Sequence, residues 1–115
     1  MLEFNGIIEK IEAAQITNID ILSIKTDKNK AKLQLELVNR INPFSESDPI
    51  KIIFDAKPIT KGNPKLMVKG KIYSISKDQE SSKILISIGG LQLKIETSED
   101  YEEFKKKQDL NISFF

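Results

Sequence analysis

The chain has 115 residues, 39% hydrophobic and 30% charged, with a net charge of +1 and no histidine, cysteine or tryptophan. That length suits one ordinary domain and the composition is that of a globular chain, so one folding unit over residues 1–115 is expected. Disulfides, thiolate nucleophiles and ordinary zinc sites are excluded, no apolar run reaches bilayer length, and the start from Met1 to Asn5 lacks the features of a signal peptide, which predicts a cytoplasmic protein without membrane contact.

Alternation with a period of two dominates the chain and predicts a mostly β architecture. Residues 4 to 12, with Phe4, Ile7, Ile8 and Ile11, read as a first strand, and residues 19 to 26, with Ile19, Ile21 and Ile24, as a second. A turn is expected at 27 to 30. The pattern is cleanest over 31 to 38, where Leu33, Leu35 and Leu37 point one way and Lys32, Gln34 and Glu36 the other. The stretch from Asn42 to Pro49 is a loop by composition, because proline fixes φ and Ser, Asn and Asp compete with ladder hydrogen bonds. Residues 50 to 55 form the next strand, and 57 to 64, with Pro58, Gly62 and Pro64, the next loop.

On the strand predicted at 66 to 76, Met67, Lys69, Lys71, Tyr73 and Ile75 share one face, and Val68, Gly70 and Ile72 the other. Strands follow at 82 to 88 and 91 to 96, separated by Gly89-Gly90. Two glycines suit the positive φ angles of a two-residue hairpin, which would set Ile88, Ile86 and Ile84 opposite Leu91, Leu93 and Ile95 on one face. A β-bulge at the glycines would restore the phase as well. A helix is predicted from Thr97 or Ser98 to about Lys107, with caps and acids at its start, lysines at its end and Tyr101 and Phe104 as its apolar stripe. A last strand covers 109 to 114. About eight short strands and one short helix near the C-terminus suggest an antiparallel Greek-key barrel of the oligonucleotide-binding type.

Little chemistry is available to such a chain. Serine and threonine lack a histidine base, Ser45-Glu46-Ser47-Asp48 is too sparse for a calcium loop, and the carboxylates of 99 to 103 are explained by a helix start. No catalytic, metal-binding or cofactor-binding residue is assigned, and no small-molecule substrate is expected. The positive signal is the segment from Ala56 to Lys77, with six lysines and no acid. Lys69, Lys71 and an outward Tyr73 could follow a nucleic-acid backbone and stack a base, or contact a protein. Phe115, out of phase with Phe114, is a further candidate contact.

The run from Leu66 to Ile75, containing Gly70-Lys71-Ile72-Tyr73, followed by Ile86 to Ile95, containing Gly89-Gly90-Leu91, resembles the small RNA polymerase subunit shared by the three eukaryotic nuclear enzymes and its archaeal counterpart, the G subunit. The upstream run from Lys32 to Phe44 and then Ile50 to Phe54 is similar to the same family, so the resemblance extends from about residue 31 onward. The eukaryotic members carry a long polar insertion where this chain has only 57 to 64, and a basic tail where it has Phe114-Phe115, which favours the archaeal branch. The resemblance implies a barrel docked on the outside of the largest polymerase subunit, with the catalytic magnesium and its aspartates in that partner. Its candidate contacts are Lys69, Lys71, Tyr73, Gly89, Gly90 and Phe115. The alternative is an independent barrel that binds single-stranded DNA or RNA.

Overall fold

The computed structural model describes residues 2–26, 31–59, 62–99, 101 and 104–115. Eight strands run in chain order: β1 (Leu2–Ala13), β2 (Ile19–Thr26), β3 (Ala31–Val38), β4 (Pro49–Asp55), β5 (Leu66–Lys77), β6 (Ser82–Ile88), β7 (Leu91–Thr97) and β8 (Asp109–Phe114). They close into one barrel in the order β1-β2-β3-β7-β6-β5-β8-β4, with every pairing antiparallel. The expected antiparallel barrel is therefore present. The turn expected at 27 to 30 lies outside the described residues.

Alternation explains which side chains enter the barrel. Phe4, Ile8, Leu22, Leu33, Leu35, Ile52, Ile72, Ile86, Leu93, Ile95 and Phe114 are fully buried and fill its interior. Each such side chain contributes about 1.5–3 kcal/mol by leaving water. Two bulges keep this pattern in phase where apolar residues fall three apart. The register shift between Ile8 and Lys10 lets both Ile8 and Ile11 face inward. The shift between Ile72 and Ser74 does the same for Ile72 and Ile75, so Ile75 packs on the core and does not share the outer face of Tyr73, as simple alternation predicted. Ile7, by contrast, is 49% exposed on the outside of β1.

Gly89 and Gly90 form the hairpin. Their φ angles are 55° and 90°, and the register sets Ile88 opposite Leu91, Ile86 opposite Leu93 and Ile84 opposite Ile95. Two consecutive positive φ angles match the turn whose twist suits a two-residue hairpin.

Among the described residues, the predicted helix does not form. Thr97 belongs to β7, paired with Ala31 and Ser82, and Lys107 has a φ of 66° that no right-handed helix admits. The described part of this connection is an irregular plug instead; Asp100, Glu102 and Glu103 lie outside the described residues. Thr97 Oγ1 accepts the Glu99 N–H, a cap-like bond without a helix behind it. The Tyr101 ring meets Phe4 at 5.5 Å, and the Phe104 ring meets Phe54 at 5.2 Å, edge to face in both cases. Burying these rings against the barrel mouth outweighs the modest helical preference of a short polar run. The opposite mouth is closed by the β3–β4 connection, whose Phe44 is buried against Phe114 at 6.3 Å. That connection is pinned by bonds from Ser47 N–H to Ile8 O and from Ile8 N–H to Asp48 O.

Gly70 faces inward, and a Cβ placed there would stand 2.7 Å from Ile86 Cγ2 and 3.2 Å from Ser87 O. The glycine serves close packing of β6 on β5. Gly70→Val is expected to destabilise the barrel by about 1–3 kcal/mol through overpacking, read as a lower denaturation midpoint at unchanged slope. Phe104→Ala, which empties one plug, is expected to cost about 3–5 kcal/mol; a thermal unfolding curve matching that of the native chain would contradict the plug role.

Candidate functional site

The outer face of β5 brings together most of the residues singled out from the sequence. Lys69 lies opposite Asn111 of β8, and Lys71 lies between Asp109 of β8 and Ser87 of β6. The Lys71 ammonium stands 3.7 Å from Asp109, with both side chains well exposed. An exposed pair of this kind contributes at most about 1 kcal/mol. The acid-free stretch of sequence thus acquires a carboxylate neighbour from a distant strand.

Tyr73 sits at the bulge of β5, 43% exposed, and its hydroxyl donates to Gln92 Oε1 at 2.7 Å. Gln92 is itself anchored, its backbone N–H donating to Glu36 Oε1 at 2.8 Å. The ring is therefore held against β7 by a tether that spans β6. Among the described residues Tyr73 is the aromatic with substantial exposure, since the phenylalanines of the core are buried.

Gly89 joins Lys69, Gly70, Lys71, Ser87, Asp109 and Asn111 around a shallow depression of about 490 Å³. Its neighbour Gly90 completes the turn, and a Cβ at either glycine would meet open space. The glycines are needed there for their backbone angles, and the absence of side chains also leaves the hairpin tip low.

Phe115 lies apart from this cluster. Its backbone exchanges hydrogen bonds with Lys51, at 2.8 and 3.2 Å, and its ring packs under the Lys51 ammonium at 4.9 Å and against Gly62. The residue is half-buried and extends the β4–β8 ladder, where sequence phase alone left it free to project.

Other surface features have structural explanations. The Asp78 carboxyl is held below the usual carboxylate range because the backbone N–H groups of Glu80 and Ser81 donate to it, which fixes the β5–β6 turn. A cleft of about 350 Å³ beside the plug is lined by Ile75, Ile84, Tyr101 and Phe104, with Lys77, Lys105 and Lys106 among its rim residues. Among the described residues, no group of three or more carboxylates is gathered where a metal ion could be held. No helix among them is long and apolar enough to cross a membrane.

Asp109, Asn111 and Gln92 belong to the β5 surface and were not found from the sequence. They reach it through the β5–β8 pairing and through the tether across β6, and neither has a local signature.

The family model for the G subunit of DNA-directed RNA polymerase matches residues 1–113. No curated protein matches the sequence. Among solved structures, the cytoplasmic molybdate-binding protein ModG, in a crystal form with molybdate bound, aligns at a TM-score of 0.39 and 9% identity over 97% of this chain and 88% of that one, which is too distant to bear on function. With the family match extending through nearly all of the barrel, from β1 well into β8, the chain belongs to the G-subunit family of DNA-directed RNA polymerase and is a structural subunit of a multisubunit enzyme.

Proposed function

We propose that the barrel is a non-catalytic assembly subunit of an archaeal RNA polymerase, working in the cytoplasm and docked on the largest subunit. It acts as one folding unit along its length. The polymerase chemistry resides in the partner, and the outer face of β5 with the β6–β7 hairpin supplies contacts through Lys69, Lys71, Tyr73, Gly89 and Gly90. Phe115 marks a second, smaller contact on the β4–β8 side.

The family match over residues 1–113 carries this reading. The packed interior supports it, since a barrel filled by its own aliphatic and aromatic side chains offers its outside for interaction. The exposed β5 face supports it too, because Lys69 and Lys71 stand on it and the Lys71 pair with Asp109 is long and well exposed. A single exposed ring at Tyr73 gives little to an independent single-strand binder, which ordinarily stacks several bases.

Native chain purified from its source is expected to elute with the other polymerase subunits and to stay with them through a moderate salt wash. Elution alone, near its own mass, contradicts the proposal. The isolated barrel is expected to bind a fluorescent single-stranded oligonucleotide no more tightly than the roughly micromolar limit of non-specific association. Tighter saturable binding, lost in a Lys69→Ala, Lys71→Ala, Tyr73→Ala variant, would favour the oligonucleotide-binding alternative.

A further inference from the structure

The barrel is closed, yet one of its strands keeps a free edge. β5 is 12 residues long and β6 is 7. Their pairing stops at Lys71 opposite Ser87. Gly70 still lies beside Ile88, the last residue of β6, but from Leu66 to Lys69 β5 holds β8 on one side and no strand on the other.

The direction of the backbone groups follows from Ile72, whose N–H donates to Gln108 O at 2.9 Å and whose carbonyl accepts from Lys107 N–H at 2.7 Å. Ile72 thus addresses the β8 side. Alternation turns Gly70 and Val68 the same way and aims the N–H and C=O groups of Lys69 and Met67 at the open side. Among the described residues, no backbone hydrogen bond satisfies Met67 or Lys69 there.

The core is incomplete at the same place. Ile72, Ile84 and Ile86 are at most 3% exposed, but Leu66, Val68, Ile88 and Leu91, which share their inward phase next to the free edge, are only half-buried. The low hairpin tip at Gly89-Gly90 leaves this notch open. On the outer face Met67 is 46% exposed, Lys69 is exposed, and no acid occurs from Ala56 to Lys77.

We infer that the edge of β5 from Leu66 to Lys69 is a strand-addition site that takes an extended segment of another polymerase subunit. An unpaired edge is a template for a further strand, and main-chain bonds of that kind give affinity while alternate side chains give specificity. The segment it fits carries apolar residues at the positions facing Leu66 and Val68, where they also meet Ile88, and a carboxylate at the alternate position facing Lys69, within reach of the Lys71 side chain. This inference rests on the polymerase-subunit reading and assigns that reading its contact.

The test is reconstitution of polymerase lacking this subunit with the wild-type chain and with variants. Met67→Pro removes an N–H on the open side and leaves the β8 ladder intact, because proline is tolerated on a strand edge. It is expected to incorporate at least tenfold more weakly than Met67→Ala, which keeps the N–H, with an unchanged melting temperature. Lys69→Glu with Lys71→Glu is expected to weaken incorporation as well. Equal incorporation of Met67→Pro and wild type overturns the inference, whereas failure of the wild type itself overturns the subunit reading beneath it. Dimerisation of the isolated chain that Met67→Pro abolishes would assign the edge to a second copy and overturn the polymerase occupant. Should Met67→Pro lower the melting temperature, a photo-crosslinking residue at position 67 of the otherwise native chain replaces it. A crosslink to another subunit, absent when the same residue stands at Glu9, supports the inference, and no crosslink from position 67 overturns it.

Discussion

Pairing of β3 with β7 on one side, and the chain of pairings β5-β8-β4-β1 on the other, join two three-stranded meanders, β1-β2-β3 and β5-β6-β7, into a ring. Closure removes most free edges and gives every strand a partner on each side. It also creates two mouths through which water would reach the interior. Phe44 closes one, and Tyr101 with Phe104 closes the other. The two long connections are therefore parts of the core, and the second departs for that reason from the helix its composition suggests.

Much of the strand layout was legible because a strand half-buried in a barrel must alternate. Strand limits over 19–26, 31–38, 82–88 and 109–114 follow directly from that rule, and the Gly89-Gly90 turn from the φ angles its geometry requires. What alternation could not reveal is where it slips. Ile8 to Ile11 and Ile72 to Ile75 both skip a position, and both conceal a bulge. Ile21 to Ile24 skips in the same way without one, Leu22 taking the inward place. Only the register of the neighbouring strand distinguishes these cases. The run from Thr97 to Lys107 has the charge order of a helix, but its two rings are claimed by the barrel mouth, a tertiary demand without local trace. The candidate surface was half legible: Lys69, Lys71 and Tyr73 could be assigned to one face, whereas Asp109 and Gln92 join them across strand pairings far apart in sequence.

Gly70 shows how one residue changes meaning between sequence and structure. As a glycine among bulky neighbours it suggests a bend or the approach of a partner's backbone. In the fold its missing Cβ admits Ile86 and Ser87 of the same chain. The place where a foreign backbone has room is one step further along, at Lys69 and Met67, where β6 has ended and β5 continues. A chain with no histidine and no cysteine thus combines a barrel filled by its own side chains with one short stretch of β5 that has no strand beside it.

Hydrogen exchange, followed on the isolated chain and on the same chain within the polymerase, tests this most directly. The ladder amides of β1, β2, β4 and β8 are expected to exchange slowly in both states, while Met67 and Lys69 exchange fast when isolated and slow on assembly. Fast exchange throughout the ring until the polymerase is added, or protection gained elsewhere with Met67 and Lys69 unchanged, would contradict a preformed barrel that joins its partner through the edge of β5.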